Sequence, residues 1–85
     1  MYKVILGAKA QKEYKKLPTA TARVIKQVIF VELRESPYSR TLDVKKLKVP
    51  LDGFRLRVGD YRVLFDVEGE WIKVYSIRHR KDAYR

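Results

Sequence analysis

Apolar residues recur along this 85-residue chain with two different periods, and the change of period divides it into elements. The opening run from Tyr2 to Leu6 is short and rich in β-branched residues, which predicts a strand that Gly7 ends. Ala10, Tyr14 and Leu17 follow at offsets of four and three, one stripe of a short helix over Ala8 to Leu17. Lys9, Lys12, Lys15 and Lys16 occupy its other faces. Pro18 suits the first turn of a second helix, where its missing N–H has no helical partner. From Thr19 to about Glu35, Val24, Val28 and Val31 form one row and Ile25, Ile29 and Leu33 the next. The resulting apolar face is about 25 Å long at roughly 1.5 Å per residue. The segment VIFVEL has the β-branching of a strand, but the helical spacing continues on both sides of it. Ser36-Pro37 stops the helix, and two helices joined this tightly predict an antiparallel hairpin.

Tyr38 to Asp52 reads as a basic connector carrying Arg40, Lys45, Lys46 and Lys48, with a short helical turn around Leu42 to Leu47. The period then becomes two. Phe54, Leu56 and Val58 alternate with Arg55 and Arg57, and Gly59-Asp60 turns the chain. Val63, Phe65 and Val67 share one face of the next strand, and Glu68-Gly69 offers a hairpin turn into a last strand from Trp71 to Ile77. The tail RHRKDAYR is too polar for a core. The order β-α-α-β-β-β predicts a single α+β domain over residues 1–85, with an antiparallel sheet, a helix hairpin packed on one face, and the other face open.

Charge changes the picture. Twenty Lys and Arg stand against ten Asp and Glu, a formal net charge of +10, so a polyanion or a strongly acidic protein is the natural partner class. The plainer alternative is a heavily charged, solvated surface. An apolar fraction of 46% argues against disorder. The chain has no cysteine and one histidine, and it lacks a phosphate-cradling Gly-rich loop and any zinc or EF-hand spacing. No metal or cofactor is expected. With no signal-peptide pattern and no membrane span, a cytoplasmic protein is expected.

Strict alternation sends Arg62 and Leu64 outward when Val63 and Phe65 point to the helices, and does the same for Arg55 and Arg57. Three guanidiniums then share a sheet face, an arrangement suited to phosphate because forked donors match its oxygens. Asp60 or Asp66 could instead neutralise them as ordinary surface pairs. In the last strand, Ile72 and Val74 inward leave Trp71, Lys73 and Tyr75 open, though the opposite parity also fits. Beyond Ile77 alternation does not decide whether Arg78 or Arg80 turns toward the cluster. His79 is a candidate acid–base group or a surface residue. Tyr84 is placed either to stack on a base or to cap the sheet edge.

With FRLRVGDYRVLFDV and IRHRKDAYR in place, the chain resembles the RelE/ParE superfamily of toxins from toxin–antitoxin modules. The RelE branch of that resemblance implies a ribosome-dependent, metal-independent mRNA interferase, in which a ribose 2′-OH attacks the adjacent phosphate. It implies that Arg62 stabilises the pentavalent phosphate, that Arg55 and Arg57 hold or activate the attacking region, and that Arg80 assists the leaving oxygen. Tyr84 would stack on the mRNA base, while Lys45, Lys46, Lys48 and Arg78 would contact RNA. A guanidinium hardly deprotonates, so His79 becomes the candidate proton carrier. The ParE branch implies a non-enzymatic inhibitor of DNA gyrase, and an inactive RNA-binding relative is a third reading. Either toxin implies an acidic, helix-rich antitoxin as partner in a hetero-oligomer, besides ribosome and mRNA for the first.

Overall fold

The computed structural model describes residues 2–38, 41–47 and 53–83. Strand β1 (Lys3–Leu6) leads into helices α1 (Ala8–Lys15) and α2 (Thr19–Gln27), and α2 continues as a π-helical turn over Val28–Leu33. Strands β2 (Asp43–Lys46), β3 (Phe54–Val58), β4 (Tyr61–Glu68) and β5 (Trp71–His79) follow, and a one-turn helix α3 (Arg80–Ala83) comes last. The α+β class and the helices read from the sequence are those observed.

The sheet itself differs from expectation in two ways. Its order is β1-β5-β4-β3-β2, and β1 lies parallel to β5, so the sheet is mixed rather than wholly antiparallel. The basic connector also contributes a strand, β2, where a helical turn was expected. The physical reason is visible in the packing. Leu42 and Val44 both lie against the core, a period of two, and Val44 sits opposite Leu56 on β3, whose edge β2 covers.

Ile25, Ile29 and Leu33 are fully buried against Leu56, Val63, Phe65, Ile72, Val74 and Ile77 on one sheet face. The valine row contributes less: Val28 packs half-buried against the core, but Val24 and Val31 are 54% and 50% exposed. The π turn accounts for part of this. Its i→i+5 pattern winds the backbone less per residue, so the four-residue steps from Ile25 to Ile29 to Leu33 stay nearly in line. The Tyr14 hydroxyl donates to the Ala22 carbonyl at 3.4 Å and ties the two helices together.

An irregularity in β5 decides what faces where. Phe65 pairs with Val74 but Leu64 pairs with Ser76, so Tyr75 is an extra residue, a β-bulge. Before it, Ile72 and Val74 point inward, and after it Ile77 does. Uninterrupted alternation would have sent Ser76 and Arg78 toward the helices. The bulge reverses that parity and turns Arg78 to the open side.

Gly53 opens β3 at φ 100°, where an added Cβ would stand 2.6 Å from the Phe65 carbonyl oxygen. Gly53→Ala is therefore expected to lose at least about 1–3 kcal/mol from backbone strain alone, before the clash is counted. Gly69→Ala, at φ 61° with open space around it, should lose only about 1–2 kcal/mol. Urea midpoints of the two variants check the order.

Candidate anion site on the open sheet face

The register of β3, β4 and β5 sets Arg57 opposite Arg62 and Arg62 opposite Arg78. All three lie on the face turned away from the helices, because their neighbours Leu56, Val63 and Ile77 are buried in the core. Directly opposed residues on antiparallel strands have Cα atoms about 4.5–5.5 Å apart, and like charges placed so repel. The next rung runs from Lys45 through Arg55 and Leu64 to Ser76.

On β2, Asp43 stands opposite Arg57 in the same rung, but its ion pair is with Arg55. Asp43 Oδ1 lies 3.7 Å from Arg55 Nη2, a long and half-exposed pair that contributes little. Asp66, a candidate neutraliser, is engaged elsewhere: its Oδ1 accepts from the Val67 N–H at 2.8 Å and its Oδ2 from the Tyr75 hydroxyl at 3.3 Å. Burial and the Asp66 charge together push the Tyr75 phenol above its ordinary value. Glu68 is paired with Lys73 at 2.9 Å, and that contact raises the lysine. Among the described residues no carboxylate lies within 4.0 Å of Arg57 or Arg78.

The three arginines differ in setting. Arg57 is exposed. Arg62 is only 5% exposed, so the outward position read from alternation is not a solvated one. Its Nη1 donates to the carbonyls of Gly59 and Tyr61 at 3.3 and 3.2 Å, drawing the guanidinium along the β3–β4 turn. Arg78 is half-buried, and its Nε donates to Ser76 Oγ at 2.9 Å. Arg55 is 19% exposed, with a buried Nε that has no hydrogen-bond partner among the described residues.

His79 is not brought to this row. It sits opposite Tyr61 on the helix-facing side, edge-on to that ring at 5.2 Å, and its Nδ1 accepts from the Lys81 N–H at 3.3 Å. It lines a cleft of about 420 Å³ with Glu13, Lys16, Tyr61 and Arg78, so of the arginine row only Arg78 borders this cleft. Arg80 is exposed at the start of α3, its N–H bonded to the Asp60 carbonyl at 2.6 Å. Lys45 shares the arginine face, whereas Lys46, opposite Phe54, does not. Lys48 and Tyr84 lie outside the described residues. Among those described, no cluster of three or more His, Cys, Asp or Glu could hold a metal ion, and no helix is long and apolar enough to cross a membrane.

Two residues were missed by sequence reasoning. Glu13 Oε1 accepts from Ser76 Oγ at 2.9 Å and from the Ile77 N–H at 3.0 Å. The strand β1 covers β5 only from Trp71 to Val74, so beyond that point α1 lies along the sheet edge and Glu13 supplies the acceptor a further strand would have given. One signal was available: Glu13 is the only acidic residue before Glu32.

The fold agrees with the comparisons to known proteins. The profile of a family described as the ParE toxin of type II toxin–antitoxin systems, parDE, matches residues 4–84. A toxin named RelE3 from Methanocaldococcus jannaschii is 32% identical over 83 residues, covering 96% of this chain and 94% of that one. The toxin–antitoxin complex RelBE2 from Mycobacterium tuberculosis superposes with a TM-score of 0.82 at 27% identity, covering 93% of this chain and 98% of the other. The archaeal RelE–RelB complex from Pyrococcus horikoshii gives 0.77 at 30% identity, covering 96% and 98%. The chain belongs to the RelE/ParE superfamily of type II toxin–antitoxin toxins.

The settings of Arg57 and Arg62 predict opposite effects on stability. Arg57→Ala removes an exposed charge from a repulsive row and should leave stability within about 0.5 kcal/mol or raise it. Arg62→Ala empties a buried position and releases two carbonyls, at a cost of about 1–3 kcal/mol. Thermal or urea unfolding of both variants decides.

Proposed function

We propose that this toxin is a ribosome-dependent mRNA endoribonuclease, and the observation that carries the reading is the rung Arg57–Arg62–Arg78 on the open face. A phosphodiester attacked by its neighbouring 2′-OH gains a P–O2′ bond and loses the P–O5′ bond, the 2′-OH proton passing to water and O5′ taking one up, through a phosphorane with extra negative charge. Guanidiniums already fixed beside one another need no reorganisation as that charge develops, which is where electrostatic catalysis is strongest. Arg62, anchored by two backbone carbonyls, is the rigid member and holds the phosphate. Arg57 and Arg78 flank it, with Arg55 and Lys45 extending the track for the strand. In this reading Arg80, exposed just beyond β5, assists the leaving 5′-oxygen. The row stabilises charge and moves no proton. His79, on the other side of the sheet, reaches the reaction only around the Arg78 edge.

The complexes from Mycobacterium tuberculosis and Pyrococcus horikoshii are toxin–antitoxin pairs. By analogy, an acidic antitoxin is the partner here, its carboxylates neutralising the face that would otherwise take RNA. A second reading has one observation in its favour, since the matching family profile is that of ParE toxins. In that reading the basic face binds DNA gyrase and cuts nothing.

Primer extension on mRNA after induction separates the two. Discrete cuts within translated codons support the nuclease, while DNA breaks with intact mRNA support the gyrase inhibitor. Arg57→Ala, and Arg62→Lys as a charge-preserving probe of the fork, should each lower cleavage of ribosome-bound mRNA by about 10²–10³. An unchanged rate in a folded Arg57→Ala variant overturns the assigned role of the row.

A further inference from the structure

Arg78 differs from the other members of the rung because something outside the sheet grips it. Its Nε–H donates to Ser76 Oγ at 2.9 Å, Ser76 is 2% exposed, and the Ser76 hydroxyl donates in turn to Glu13 Oε1 at 2.9 Å. A serine hydroxyl has one proton and two lone pairs. Once that proton is committed to the carboxylate, the lone pairs can only accept, and an arginine Nε–H is the donor in reach. The same Glu13 oxygen takes the Ile77 N–H at 3.0 Å, so the carboxylate is fixed by the strand as well as by its helix. With Nε tethered, the Arg78 Nη groups have no hydrogen-bond partner among the described residues.

We infer that Glu13, acting through Ser76, is the positioning residue that locks Arg78 into the anion-binding rung beside Arg62. The inference rests on the rung being a phosphate site, and it adds a residue on α1 that never touches the ligand. A carboxylate among the lysines of α1 thus does two things: it satisfies the uncovered edge of β5 and orients one guanidinium. Holding a long side chain in one rotamer beforehand removes an ordering penalty that binding would otherwise incur. Negative charge is not required for the relay. A glutamine oxygen can accept both bonds, whereas alanine can accept neither.

The test uses a short single-stranded RNA with every 2′-hydroxyl methylated, so that binding is read without cleavage. Glu13→Ala should weaken binding about tenfold and should expose the Arg78 Nε–H to faster solvent exchange in ¹⁵N NMR spectra. Glu13→Gln should stay within about twofold of wild type on both readouts. In an Arg78→Ala background, Glu13→Ala should add nothing to the loss of affinity, because the coupling between the two residues is then already gone. A purely structural Glu13 would weaken binding equally in both backgrounds, and that result overturns the inference. So does an Arg78 Nε–H whose exchange ignores Glu13→Ala, or a wild-type protein with no salt-sensitive affinity for the strand. A wild type that binds the methylated RNA but never cuts ribosome-bound mRNA refutes the nuclease and leaves the relay standing.

Discussion

One additional residue in β5 governs the chemistry of the face opposite the core. Tyr75 has no register partner on β4, so the residues after it resume alternation with the opposite sense. Ile77 falls inward onto the helices and Arg78 falls outward beside Arg62. Without that offset the strand would bury an arginine and expose an isoleucine, and both the core and the basic rung would lose a member. A bulge is often treated as local decoration, but here it lets a single strand complete the core at Ile72, Val74 and Ile77 while delivering a cation to the other side.

The arrangement sets stability against function. Three guanidiniums on adjacent strands repel, and among the described residues no carboxylate pairs with Arg57 or Arg78. The fold tolerates this through unlike solutions at each position. Arg57 is left to water, Arg62 is bound to backbone carbonyls, and Arg78 is tied to Ser76 and, through it, to Glu13. Of the acids near the row, Asp43 stands opposite Arg57 but forms its long ion pair with Arg55, Asp66 is held by Tyr75, and Glu68 by Lys73. Guanidiniums left without a paired carboxylate, as at Arg57 and Arg78 among the described residues, are a common mark of a site that receives an anion.

Much of this was legible in the chain, and the parts that were not have identifiable causes. The helices and the inward set Leu56, Val63 and Phe65 followed from period alone, and so did the outward Arg55 and Arg57. Arg62 was placed on the correct face but not at the correct depth, because burial depends on the neighbouring turn rather than on alternation. The side taken by Arg78 was open because a bulge is a break in period. Its trace was present in the spacing of Ile72, Val74 and Ile77, two and then three. β2 was hidden by its lysines, since only Leu42 and Val44 carry its pattern. The parallel docking of β1 and the bond from Glu13 to Ser76 span more than sixty residues of sequence, a distance over which periodicity carries no information.

That long-range closure has a bearing on how the polypeptide is made. The Lys3 N–H bonds to the Glu70 carbonyl and the Gly7 N–H to the Val74 carbonyl, so the earliest strand to be translated waits for the fifth before it has a neighbour. Contacts of such high sequence separation form late, and domains fold as units once their segments have emerged. Arg78 arrives with the same late strand. A chain whose fifth strand has not yet docked therefore lacks both the neighbour of β1 and the third arginine of the basic rung.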